Sequence, residues 1–98
     1  MDISVEELKA KLDKGETFNF LDVREEYEYE EQNLGAKLIP LGELPDRLDE
    51  IEAWKDEEVI VHCRSGARSG KAKAFLTAQG FSNVRNVLGG ILAFNELD

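Results

Sequence analysis

Val59-Ile60-Val61-His62-Cys63-Arg64-Ser65-Gly66-Ala67-Arg68-Ser69 is the stretch on which the fold turns. A nearly uninterrupted apolar run is what a strand buried on both faces requires, so Glu58 to His62 is predicted as a central strand. Ser65, Gly66 and Ala67 then allow a tight turn. Ala72, Phe75, Leu76 and Ala78 keep helical spacing from Arg68 to Gln79, and Gly80 supplies the stop. Cys63 therefore lies at the carboxyl end of a buried strand, just before a helix.

The same alternation extends in both directions. Ser4 followed by Glu7 is a capping-box pattern, with Val5, Leu8 and Leu12 forming a first helix that Gly15 closes. Phe18 to Val23 reads as a strand, Glu25 to Glu31 as a solvated turn or short helix, and Lys37 to Ile39 as a short strand before Pro40. Leu41, Leu44, Leu48, Ile51 and Trp54 recur every three or four residues, as on a helix with one apolar stripe and Pro45 in its first turn. Asn83 to Val87 is a further strand, Gly89-Gly90 a turn, and Ile91 to Leu97 a last short helix. The expectation is one α/β domain over residues 1–98, a doubly wound parallel sheet of about five strands flanked by helices on both faces.

Ninety-eight residues with 42% hydrophobic composition suffice for one compact core. A single cysteine excludes an internal disulfide, a multi-cysteine metal site and a resolving thiol, so whatever Cys63 acquires leaves to another molecule. A net charge of −9 argues against nucleic acid or an anionic membrane as partner. Between Val59 and Asn95 no acidic residue occurs, against Arg64, Arg68, Lys71, Lys73 and Arg85. This predicts that acidic groups are kept away from an anion-attracting cysteine site. Met1-Asp2-Ile3-Ser4 runs directly into an amphipathic pattern with no secretory signal, so a cytoplasmic setting is expected.

A thiol becomes a nucleophile as its anion, which nearby cations and helix N-terminal N–H groups favour. Peptide groups from Arg64 to Ser69 can curl around the sulfur as a concave anion site, and Arg64 and Arg68 add charged donors. In a doubly wound sheet the ligand site lies beyond the carboxyl ends of the strands. Asp22 and Arg24, past the end of the first long strand, fall on the same rim as supporting residues, with a salt-bridged structural role as the other reading of both. His62 points away from Cys63 on an alternating strand and is read as structural. No metal or cofactor is required.

Four segments resemble, in order, the landmarks of the single-domain rhodaneses, or rhodanese-like sulfurtransferases. They are Leu21-Asp22-Val23-Arg24-Glu25, His62 to Ser69, Gly80-Phe81 with Asn83-Val84, and Leu88-Gly89-Gly90-Ile91-Leu92-Ala93-Phe94. The match covers nearly the whole chain, and the cysteine loop is its specific part. Gln32-Asn33-Leu34-Gly35-Ala36 lacks the histidine and proline often found in that family, and Phe94 replaces a frequent tryptophan. The resemblance implies that Cys63 takes a sulfane sulfur from thiosulfate, a persulfide or a polysulfide and passes it to cyanide or a thiol, with thioredoxin or glutathione as cellular partners. Backbone N–H groups from Arg64 to Ser69 would stabilise the sulfur anion, and Arg64 and Arg68 would clamp the donor. Ser65 and Ser69 either hydrogen-bond the sulfur or only satisfy the loop.

Two rival functions remain at this level. A cysteine phosphatase or arsenate reductase shares this architecture, but related phosphatases set one residue more between cysteine and arginine than the four separating Cys63 from Arg68. A regulatory, sulfur-carrier or docking module using the Glu25 to Glu31 surface is the other. Gly66-Ala67-Arg68-Ser69-Gly70-Lys71 is one residue short of a nucleotide-binding phosphate loop and is followed by Ala72 where a magnesium-binding hydroxyl belongs.

Overall fold

The computed structural model describes residues 1–97. Helix α1 (Val5–Asp13) starts at Ser4, whose hydroxyl accepts the Glu7 N–H at 3.1 Å. Four parallel strands follow in the spatial order β2-β1-β3-β4: β1 (Asn19–Asp22), β2 (Lys37–Leu38), β3 (Glu58–His62) and β4 (Asn83–Asn86). Helices α2 (Glu26–Glu31), α3 (Ala67–Ala78) and α4 (Gly90–Asn95) complete the α/β fold.

Of the roughly five strands expected, four form among the described residues. The outer position beside β4 holds only a parallel bridge between Ile3 and Val87. Ile3 N–H donates to Asn86 O and Leu88 N–H to Ile3 O, each at 3.0 Å, and Ser4 then caps α1 before a strand can extend.

Alternation persists inside the apolar run of β3. Val59 and Val61 join Leu21, Leu44, Ile51, Ala72 and Leu76 in one core, whereas Ile60 joins Phe20, Leu8 and Val87 in the other. Each face of the sheet thus has its own core, as a two-sided parallel sheet demands. Cys63 belongs to the first, on the α3 side.

The regular helix expected from Leu41 is instead a 3-10 helical segment, Leu41–Trp54, broken at Arg47 (φ −123°, ψ 18°). Its apolar residues explain why. Leu41 and Leu44, then Leu48, Ile51 and Trp54, are spaced by three within each piece, the period of a 3-10 turn, and the single step of four spans the break. Pro45, which has no N–H to donate, lies inside the segment. Among the described residues no helix is long and apolar enough to cross a membrane.

Leu21 is fully buried in β1, between its neighbours β2 and β3. Leu21→Ala is expected to cost about 2–5 kcal/mol in urea denaturation. A loss below about 1 kcal/mol would show that this core does not hold the sheet.

Candidate active site

β1 and β3 are adjacent and in register, Asp22 beside His62, so the segments that follow them leave the same edge of the sheet. The β3 segment turns from Cys63 into α3 through Gly66, whose φ of 102° lies in the left-handed region that glycine adopts without penalty. The Gly66 N–H donates to Cys63 Sγ at 3.1 Å, and the Ser69 hydroxyl lies 3.3 Å from it. Cys63 is only 1% exposed. Burial pushes its thiol pKa up, but the Ser69 hydroxyl and the N–H groups of Ser69, Gly66 and Ser65 outweigh burial and hold it below the ordinary value.

N–H groups can face the sulfur because the loop carbonyls are satisfied elsewhere. Ile91 N–H donates to Cys63 O at 3.0 Å, Leu92 N–H to Arg64 O at 3.1 Å, and Asn86 Nδ2 to Gly66 O at 3.2 Å. The first two donors are free N–H groups at the start of α4. A β-carbon on Gly90 would sit 2.4 Å from Arg64 O and 2.6 Å from Cys63 O, so only glycine permits this approach.

The two loop arginines differ. Arg64 is exposed and has no ion-pair partner among the described residues. Arg68 forms a bidentate pair with Glu28 of α2, at 2.7 and 2.9 Å. That pair corrects the expectation that acidic groups avoid the cysteine site: α2 follows β1, and the strand register brings it beside the loop after β3. A cavity of about 330 Å³ lies between them, lined by Tyr27, Glu28 and Glu31 on one side and by Arg64 and Leu92 on the other. Its walls are tied together by paired amide hydrogen bonds between Gln32 and Asn95, at 2.7 and 2.9 Å.

Asp22 and Arg24 form a salt bridge with each other. Arg24 donates to both Asp22 carboxylate oxygens and, at 2.8 Å, to Gln32 O, which anchors the end of α2. His62 is fully buried on the opposite side of β3 from Cys63, against the Phe20 ring, with Nε2 3.4 Å from Asp22 Oδ2 and not aligned for a hydrogen bond. Burial lowers its pKa, keeping it neutral. Sequence reasoning missed Glu28, Asn86 and the close approach of Gly90. Each acts on the loop across a tertiary contact, and only the Gly89-Gly90 pair left a local signal.

A parallel α/β sheet with a cysteine cradled by backbone N–H groups at its carboxyl edge defines a class of cysteine-loop domain. The family described as Rhodanese-like domain matches residues 4–97, and the chain belongs to it. A sulfurtransferase of Allochromatium vinosum is 37% identical over 94 residues, 95% of this chain and 86% of that protein. YrkF of Bacillus subtilis, named as a sulfur carrier protein, is 42% identical over 91 residues, 92% of this chain, and the chain spans 48% of its length. The crystal structure of a rhodanese-like domain protein from Staphylococcus aureus superposes with a TM-score of 0.84 at 35% identity, covering 96% of this chain and 91% of that one.

Arg68 holds the Glu28 carboxyl down at about 2, from an ordinary 4.5. A depressed folded-state pKa stabilises above the unfolded value and is lost as pH falls through the folded one. The stability gap between wild type and Glu28→Gln is therefore expected to be full above pH 4.5 and to close toward pH 2. Urea melts of both proteins across that range check this, and a constant gap would contradict it.

Proposed function

We propose that this chain is a sulfurtransferase in which Cys63 accepts a sulfane sulfur as a persulfide and hands it to a thiol or to cyanide. Relatives named sulfurtransferase and sulfur carrier protein support a sulfur-transfer role. The observation that carries the finer reading is the cradle itself: a nucleophile buried to 1% exposure with Gly66 N–H at 3.1 Å and the Ser69 hydroxyl at 3.3 Å from the sulfur. Donors aimed at a site of anionic charge stabilise it most when water is excluded.

With thiosulfate as donor, the Cys63 thiolate attacks the outer sulfur. An S–S bond to Cys63 forms, the bond to the sulfonate sulfur breaks, and sulfite leaves with the electron pair. The negative charge passes to the terminal persulfide sulfur. An acceptor thiolate or cyanide then attacks that sulfur, taking it as a persulfide or thiocyanate and returning the Cys63 thiolate. Each half-reaction conserves charge and needs no cofactor or metal.

Arg64, which lines the cavity and has no ion-pair partner among the described residues, would attract an anionic donor, and the cavity would seat the body of a donor or acceptor. Arg68 acts in this reading mainly by holding α2 through Glu28. That engagement, with the four-residue spacing from Cys63, also weighs against phosphate-ester chemistry, which needs the arginine turned into the loop. A reducing, cytoplasmic setting suits a lone thiolate.

The test is the intact mass of the reduced protein after brief exposure to thiosulfate and, separately, to glutathione persulfide. A gain of one sulfur atom that cyanide removes, absent from Cys63→Ser, is the expected result. No adduct with either donor would overturn the proposal. An adduct that forms but turns over only slowly with cyanide or thiols would favour the sulfur-carrier role suggested by the relative YrkF.

A further inference from the structure

Ser69 is fully buried and has one hydroxyl proton but two acceptors. Its Oγ lies 3.3 Å from Cys63 Sγ and 2.5 Å from Asn86 Oδ1. The Asn86 amide is oriented by Nδ2, which donates to Gly66 O at 3.2 Å, so the acceptor-only oxygen faces Ser69. Two oxygens this close require the proton between them. While Cys63 is a thiol, Ser69 therefore donates to Asn86 and offers its lone pairs to the thiol S–H. A thiolate has no proton to give, and the same hydroxyl must then swing its own proton to the sulfur, leaving Asn86 Oδ1 unpaired.

We propose that Asn86 is a positioning residue that acts on Cys63 through Ser69, holding the hydroxyl as an acceptor for the thiol and competing with the sulfur for its proton once the thiolate forms. The Asn86 side chain meets the loop at two points, Ser69 and Gly66 O, and its backbone is fixed independently: its N–H donates to Asp2 Oδ1 at 3.0 Å and its carbonyl accepts from Ile3. It is thus rigid in the chain and committed to the loop only through its amide. The competition tunes how readily the sulfur becomes an anion and, on the sulfurtransferase reading, lets the hydroxyl return to Asn86 when the charge moves to the outer persulfide sulfur. Among the described residues, the charged groups around the loop make no hydrogen bond to the Ser69 hydroxyl or the Asn86 amide side chain, Asp2 touching Asn86 only at its backbone N–H. They are Arg68 with Glu28 from α2, exposed Arg64, and the Asp2–Lys73 pair behind β4, with neutral His62 on the far side of β3.

The test is the pH midpoint of Cys63 alkylation by iodoacetamide in wild type, Asn86→Ala, Ser69→Ala and the double variant. It needs no sulfur donor, so its failure is distinct from failure of the sulfurtransferase reading. Ser69→Ala is expected to raise the midpoint. Asn86→Ala, by releasing the hydroxyl to the thiolate, is expected to lower it by roughly half a pH unit, about threefold in thiolate fraction below the midpoint. In the Ser69→Ala background that shift should vanish. A midpoint unchanged or raised by Asn86→Ala, or an equal shift in both backgrounds, would overturn the proposal. If Asn86→Ala does not fold, Asn86→Asp keeps the size and strengthens the acceptor. Its upward shift should be larger with Ser69 present than in the Ser69→Ala background, and equal shifts would overturn the proposal.

Discussion

A peptide loop can turn its N–H groups toward a sulfur atom only if its carbonyls, displaced to the outside, find other donors, because unpaired buried carbonyls are costly. Here α4 supplies two of those donors, to Cys63 O and Arg64 O, and β4 supplies a third through Asn86 to Gly66 O. The cysteine site is therefore a property of the whole carboxyl edge of the sheet. Gly90 makes the α4 contact sterically possible, and the left-handed Gly66 lets the chain turn directly into α3.

Charge is organised on the same principle of local pairing. The acidic α2 is drawn against the cationic loop because β1 and β3 are neighbours in register. Glu28 neutralises Arg68, buried Asp22 neutralises Arg24, and Arg64 stands at the cavity with no ion-pair partner among the described residues. The contrast between acidic and basic halves of the sequence thus becomes an interface between them. An anion approaching this edge meets the exposed Arg64 guanidinium and the N–H dipoles of the loop, with Glu31 across the cavity.

What was legible in the sequence is what local chemistry dictates. The buried run of β3, the small residues after Cys63, the Ser4 cap and the Asp22–Arg24 pair each follow from neighbours in the chain. The 3-10 geometry of Leu41–Trp54 was obscured because spacings of three and four both suit an α-helix, and only the break at Arg47 shows that the step of four joins two pieces of period three. Glu28 was one of five glutamates between Glu25 and Glu31, with nothing local to single it out. Asn86 looked like an ordinary strand residue, since the partners of its side chain, Ser69 and Gly66, lie 17 and 20 positions away.

The chemistry of Cys63 depends on the fold making it an anion more readily than the unfolded chain does. Ultraviolet titration of the Cys63 thiolate in the native protein and in the same protein unfolded in urea tests this directly. The native midpoint is predicted to lie below the unfolded one, with the difference reduced by Ser69→Ala. A native midpoint equal to or above the unfolded value would mean that burial outweighs the loop's hydrogen bonds, and would contradict the cradle as the source of the chemistry.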